Sequence, residues 1–447
     1  MTKCPFSVRI VGMSAIALAI AASAPAQEVL EGAVPGRYIV VLSDAAVGMP
    51  AGFGNAPNQV RELAADLSRV FNLRVERVWG HALNGFVAEL DEAEARRLAR
   101  HPFVEVVEQD LRGPALSAPP SCYSGATFPQ DTRTLPSSFP NSSQSISCAD
   151  PNGTCIDNWG IDRVDQRFLP RNASYSWGDN GYAVHVYVID TGIDHHREFR
   201  DYLGLPRVIH SFGRDFTTDN ILTDCYGHGT HVAGIIAGRT YGVAKDALLI
   251  PVKFVTCGNQ SQASWLISSI DFVRQQVAQY GWPAVANLSG GNRSDWSALT
   301  SLQMAAQNLV ASGVQLVQAA GNQNRAACTY SLGGTTDALV VGGTTHSDSR
   351  WSGSNYGGCV DLFAPAALIT SAAFSSSGTG SLSYAPYCEL TGTSMAAPHA
   401  TGALALYLDA NPAYTPSQLR SLVLGDATTG VLTNIGTGSP NKLLYLP

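Results

Sequence analysis

Three short glycine-bearing segments carry the residue types of a nucleophilic hydroxyl site. Val188-Ile189-Asp190-Thr191-Gly192 offers a carboxylate, Gly227-His228-Gly229-Thr230-His231 an imidazole, and Gly392-Thr393-Ser394-Met395-Ala396-Ala397-Pro398-His399 a hydroxyl. A serine hydroxyl is a weak nucleophile at neutral pH. It needs a base within hydrogen-bond reach, and the base needs a carboxylate to hold its tautomer. In that division of labour Ser394 attacks, His228 takes and later returns the proton, and Asp190 orients His228. Asp194 is an alternative carboxylate. Ser394 opens a helix-like run through Leu408, where free backbone N–H groups stand near the hydroxyl; a serine there could equally be an ordinary N-cap. Pro398 is expected in the first helical turn, where proline is tolerated. Asn322, after Ala319-Ala320-Gly321, could donate its amide to a developing oxyanion beside the Ser394 N–H. His231 reads as a hydrogen-bonded structural histidine, because no HExxH-type context makes it one of a metal pair with His228.

These residues need a rigid frame. From Trp159 onward, apolar strands alternate with amphipathic helices: strands over 183–189, 247–255, 284–288, 314–319 and 338–341, and helices over 229–237 and 263–279. Such alternation predicts an α/β fold, a mainly parallel sheet between helices, with the site beyond the carboxyl ends of the strands. Asp190 and the turn leading to Asn322 both fall at such ends. Residues 37–110 read separately, as βαββαβ, a small α+β domain with acidic residues opening its second helix at Asp91. The Ser- and Pro-rich stretch 114–155 has no clear periodicity and reads as a linker or extension.

The chain has 447 residues, 45% of them apolar and 14% charged, which suits two folded units. A net charge of −7 carries no nucleic-acid footprint. Lys3 and Arg9, the apolar run Ile10–Ala22 and Ala24-Pro25-Ala26 have the make-up of a secretory signal. No later stretch is long and apolar enough to span a membrane, so an exported, soluble monomer is expected. Beyond Cys4 in the signal, eight cysteines remain: Cys122, Cys148, Cys155, Cys225, Cys257, Cys328, Cys359 and Cys388. An even set in an exported chain suggests disulfides, though sequence alone fixes no pairing.

On the three triad motifs, in the order Asp, His, Ser, the chain resembles the subtilisin-like serine proteases of the proteinase K type, which are secreted zymogens. The resemblance implies Asp190, His228 and Ser394 as triad and Asn322 as oxyanion donor. It implies residues 1–26 as signal peptide, 27–112 as an inhibitory propeptide domain, 113–155 as a linker and 156–447 as the peptidase. It further implies disulfides Cys225–Cys257 and Cys328–Cys359. Protein and peptide substrates would add as strands near Gly258, Ser261, Ser289, Gly290 and Gly291, giving broad specificity with a pocket for an apolar residue. The usual Ser-Leu-Gly-Gly run is one residue short here, which reshapes the pocket wall. Structural Ca2+ would be held by Asp162, Asp165, Gln166, Asn172 and Ser174, with Asp361 at a second site.

Two other readings are weighed. A catalytically silent scaffold with the same fold would bind peptides without cutting them. An esterase would show a GxSxG elbow and the order Ser, Asp, His, neither of which is present.

Overall fold

The computed structural model describes residues 32–48, 57–116, 143–145, 159–176, 178–332, 337–374 and 387–447. The expected signal lies outside them, as do Cys122, Cys148 and Cys155.

In the N-terminal unit, strands Ala33–Leu42, Arg74–Trp79, Gly85–Glu89 and Val104–Pro114 and helices Pro57–Val70 and Glu92–Leu98 follow the expected βαββαβ order. The pleat sends alternate residues of the first strand to opposite faces. Tyr38, Val40 and Leu42 pack under the unit's own helices. Ile39 and Val41 belong instead to the core of the larger unit, against helices Ala263–Tyr280 and Thr300–Ala311. The small sheet is therefore sandwiched, one face on its own helices and one on the neighbour's.

The larger unit is built on a nine-stranded sheet in the order Thr428–Thr429, Lys442–Leu443, Leu362–Pro365, Leu339–Thr344, Gln315–Ala319, Ala284–Leu288, His185–Asp190, Leu248–Lys253, Arg214–Asp215. All neighbours run parallel except the first pair. Strand His185–Asp190 is buried throughout. Val186 and Val188 face helices His228–Ala237 and Thr393–Ala410, while Tyr187 and Ile189 face Ala263–Tyr280 and Thr300–Ala311. A sheet covered on both sides leaves only strand ends open, so Asp190, Ser289 and the turn after Ala319 meet along one edge of the sheet.

Two departures from expectation concern the linker. Strand Val104–Pro114 continues past the expected boundary at residue 112, because its end pairs antiparallel with Gln260–Gln262. Within 113–155, Ser143–Ser145 forms a strand on Ser174–Ser176.

Candidate active site

His228 starts its helix after Gly227, whose φ of +102° is left-handed and suits glycine. A side chain on Gly229 would sit 2.2 Å from the Gly192 carbonyl oxygen, so glycine lets this helix end press on the loop after Asp190. The glycines thus serve the backbone approach of helix to loop. The imidazole Nδ1 donates to Asp190 Oδ1 at 2.8 Å. Burial works against the imidazolium, but the Asp190 carboxylate outweighs it and holds the His228 pKa above its ordinary value, with Asp224 adding in the same direction.

Sequence reasoning passed over Asp224. Its buried carboxylate accepts from Thr191 Oγ1, the N–H groups of Tyr226, Gly227 and Thr230, and Thr230 Oγ1. It ties the strand end bearing Asp190 to the helix start bearing His228. The signal was an aspartate four positions before His228, at a helix N-terminus. Asp194, the alternative carboxylate, accepts from the His195 N–H and receives no bond from His228. His231 bonds through Nε2 to the carbonyls of Ile369 and Cys388, and burial drives its pKa down to about 3. It is neutral and structural.

Ser394 is the second residue of helix Thr393–Ala410. Pro398 lies in the second turn, one turn later than expected. It has no N–H to give the Ser394 carbonyl. The Ser289 hydroxyl supplies that bond at 3.0 Å, and the Ser289 carbonyl accepts from Ser394 Oγ at 2.8 Å. This reciprocal pair fixes the nucleophile's position between strand end and helix start. Attack requires Oγ to leave that bond and turn toward His228; catalytic hydrogen bonds commonly tighten on substrate binding. Asn322 Oδ1 accepts from the Thr393 N–H and hydroxyl at 2.9 and 2.8 Å. With its oxygen so engaged, Asn322 is held in the lining of a cleft that it shares with Ser394. Thr393 is therefore the positioning residue for Asn322, another role not visible in the sequence.

The cleft encloses about 430 Å³. Its wall includes Asn292, Arg293, Ser294, Asp295, Gln323 and Tyr330, so the pocket is more polar than expected. Arg293 is paired with Asp295 at 2.7 Å. Beyond Ser289 the wall continues at Asn292, whose amide donates to the Ala319 carbonyl.

The N-terminal unit's tail occupies the cleft. Gly113 and Pro114 pair with Ser261 and Gln260. The Gly291 N–H donates to the Ala115 carbonyl at 3.0 Å. Asn259 brackets the Leu116 backbone, accepting its N–H at 3.0 Å and donating to its carbonyl at 2.9 Å. Gly290 leaves room for Leu116, whose Cδ2 would lie 3.0 Å from a Cβ there. Of the expected strand residues, Ser261, Ser289, Gly290 and Gly291 border the tail or nucleophile. Gly258 lies in the turn leading to Asn259, and Asn259 makes the contact.

Asp162, Asp165, Gln166 and Asn172 converge. The Gln166 amide nitrogen lies among Asp162 Oδ1, the Asp162 carbonyl (2.5 Å), Asp165 Oδ1 (3.5 Å) and Asn172 Oδ1 (3.1 Å). Ser174 meets the group through its backbone N–H, which donates to Asn172 Oδ1. Asp361 does not fit a calcium site: its carboxylate takes both arms of Arg420, at 2.9 and 2.5 Å, and also accepts the Val340 N–H. The guanidinium already satisfies the charge a cation would need. Cys225–Cys257 and Cys328–Cys359 are bonded as the resemblance implies.

Comparison with known proteins agrees with this geometry. Residues 181–440 match the Subtilase family and residues 37–112 match Peptidase inhibitor I9. The chain is 40% identical over 428 residues to "Extracellular serine proteinase" of Thermus sp. (strain Rt41A), covering 93% of this chain and 90% of that protein. It is 38% identical over 417 residues to "Alkaline serine exoprotease A" of Vibrio alginolyticus, covering 92% and 68%. A crystal structure of a cold adapted subtilisin-like serine proteinase aligns with 43% identity and a TM-score of 0.56, over 64% of this chain and 97% of that one. The chain belongs to the subtilase family of serine endopeptidases and carries an inhibitor I9 domain ahead of its peptidase domain.

Proposed function

We propose that this subtilase is exported as a self-processing zymogen and cuts unfolded proteins with an Asp190–His228–Ser394 triad. The observation that carries the reading is the 2.8 Å bond from His228 to Asp190, together with a cleft lined by both Ser394 and the anchored Asn322. Ser394 Oγ attacks the scissile carbonyl carbon while its proton passes to His228 Nε2. Negative charge on the former carbonyl oxygen is met by the Asn322 amide and the Ser394 N–H. Collapse breaks the C–N bond, and His228 gives its proton to the departing amine. Water then repeats the sequence on the acyl-enzyme, releasing the acid. Asp190 stays ionised throughout and steadies the imidazolium.

Substrate strands would take the tail's place between Gln260–Gln262 and Gly291. Main-chain bonds dominate there, so many sequences bind. The tail in that cleft supports inhibition by the I9 domain before processing. Among the described residues no helix is long and apolar enough to cross a membrane.

The Asp162 group supports a structural calcium ion. Turning the Gln166 amide over would present Oε1 where its nitrogen now meets a ring of oxygens, and amide orientation follows the partner present. Asp162, Asp165, Gln166 and Asn172 would then hold the ion with hard oxygen donors; bound calcium would brace this loop and takes no part in peptide cleavage. Mass analysis of undialysed protein finding no calcium would overturn the assignment.

The activity test is casein hydrolysis by the secreted protein beside Ser394→Ala, with blots for the I9 domain. Hydrolysis and release of that domain, both lost in the variant, are expected. Equal, inactive behaviour would make the fold a peptide-binding scaffold.

A further inference from the structure

Two glycines of the I9 domain lie beneath one guanidinium of the peptidase. A Cβ on Gly113 would overlap Arg293 Nη1 and stand 2.8 Å from its Cζ. A Cβ on Gly32, just before strand Ala33–Leu42, would stand 3.3 Å from Arg293 Nη2. An arginine head on a loose side chain would swing aside at little cost, but this one is held. Its Nε and Nη2 donate in a fork to Asp295 Oδ1 and Oδ2 at 3.0 and 2.7 Å. Its Cζ lies 5.6 Å from the ring centroid of Trp296, which is fully buried. The fork uses one edge of the guanidinium and leaves Nη1 on the side of Gly113.

Gly291 fixes this guanidinium relative to any chain in the cleft. Its carbonyl accepts the Arg293 N–H at 2.8 Å, and its own N–H donates to the Ala115 carbonyl at 3.0 Å. On the opposite side Gly113 stands across from Ser261 and Pro114 across from Gln260, while Asn259 brackets Leu116. A strand held by these bonds cannot slide by one residue without turning its side chains to the other face. The residue two places before the one bonded to Gly291 therefore always lies under Arg293.

We propose that Arg293 is a specificity-determining residue, and that the subsite it covers takes glycine best, a carboxylate side chain next, and an uncharged or basic side chain worst. The proposal rests on the protease reading above and names the substrates that reading leaves open. Glycine enters with nothing displaced. Any other residue must lift the guanidinium off Trp296 or out of its fork with Asp295. A carboxylate gives charge-assisted bonds to Nη1 in return. An alanine gives nothing, and an ammonium adds like-charge repulsion, so lysine is rejected most strongly. The head is only partly exposed, and a rim ion pair with a cation–π contact is together worth about a factor of ten. Main-chain bonds along the rest of the strand remain tolerant, so the selection falls on this one position. The I9 domain presents glycine there.

The test is kcat/KM for synthetic peptides with the sequence Leu111–Ser121, as they stand and with Gly113→Ala, Gly113→Glu or Gly113→Lys, cut by the secreted wild type, by Arg293→Glu and by Asp295→Ala. Casein is the control substrate. Ratios between peptides are compared within each enzyme, so a change in a variant's overall activity cancels. The wild type should cut the glycine peptide about tenfold faster than the alanine one, with glutamate between them and lysine slowest. In Arg293→Glu the order of glutamate and lysine should reverse. In Asp295→Ala the fork is gone and the guanidinium can move, so alanine and glutamate should both gain on glycine. Wild-type rates within threefold of one another, or no cutting of these peptides by an enzyme that cuts casein, would overturn the proposal alone. Variant ratios equal to those of the wild type would also overturn it. A wild type that cuts neither casein nor peptides would overturn the protease reading, and the proposal with it.

Discussion

The I9 domain grips the peptidase by capping two of its helices, and removing one cap should weaken inhibition by a calculable amount. Asp110 is fully buried; its Oδ1 accepts the Ser264 N–H at 3.0 Å and its Oδ2 accepts Ser264 Oγ at 2.6 Å, at the start of helix Ala263–Tyr280. Two residues earlier on the same strand face, Glu108 accepts the N–H groups of Thr300 and Ser301 at 2.7 and 3.0 Å, at the start of helix Thr300–Ala311. Helix N-termini carry unpaired donors and positive partial charge, so both carboxylates are well placed. Burial pushes the Asp110 carboxyl pKa up, opposed by Ser264 and Arg37. Its charge is therefore costly and depends on those partners.

Asp110→Ala should cost about 3 kcal/mol at the interface: charge-assisted bonds are worth roughly 1.5–3 kcal/mol and a lost cap about 1. Arg37 is not stranded by the change, because it also pairs with Glu76. At about 1.4 kcal/mol per decade, Ki for the I9 domain added to processed enzyme should rise on the order of 10²-fold. Glu108→Ala, less buried, should raise it about tenfold. The Arg37 bond lies within the I9 domain, so part of the Asp110 effect could be domain unfolding. Melting the variant domain alone isolates that part, and a double-mutant cycle with Ser264→Ala isolates the contact. A coupling of about 1.5 kcal/mol, roughly tenfold in Ki, is expected from the Oγ–Oδ2 bond. Zero coupling, or a Ki change under about threefold, would refute the capping argument.

Other outcomes follow from the same geometry. Asn322→Ala should lower kcat by on the order of 10²–10³ with KM little changed, as loss of this donor does in a subtilisin; stopped-assay kinetics check it. Thr393→Val should reproduce part of that loss, because Asn322 would lose one of its two anchors, while casein binding stays intact. Catalysis needs neutral His228, whose pKa is raised, so kcat/KM should fall as pH drops through a midpoint above 6.5. In Asp190→Asn burial is opposed only by the smaller pull of Asp224, and the acid limb of the residual activity should move to lower pH; an unmoved limb would reject the assignment. Chelation by EDTA should hasten thermal inactivation of the wild type and leave Asp165→Ala unaffected.

What the sequence could and could not reveal follows from how local each feature is. Buried parallel strands and the three motifs are written in contiguous residues, so the sheet was legible from spacing, and the proposed triad and Asn322 could be named from residue type. The short edge strands Arg214–Asp215 and Thr428–Thr429 were not, since two residues make no period. Asp224, Thr393 and the anchoring role of Ser289 were missed for another reason: each works through partners that only the fold brings close. Ser289 shows this best. Pro398 orphans the Ser394 carbonyl, and the remedy comes from a strand end 105 positions away. Asp361 fails in the opposite direction. Its motif resembles a calcium carboxylate, but Arg420, 59 positions later, reaches it first. A carboxylate's role is decided by whichever cation the fold delivers, and a sequence read motif by motif does not contain that competition. The same argument makes Arg420→Ala informative. If Asp361 is a cation site displaced by arginine, the variant should gain a second calcium in titration calorimetry. If the carboxylate merely anchors helix Pro416–Asp426, the variant should lose stability by the ~1–3 kcal/mol of a charge-assisted pair and bind no more calcium, which is the outcome expected here, because Val340 and Arg420 are the only partners its carboxylate has among the described residues.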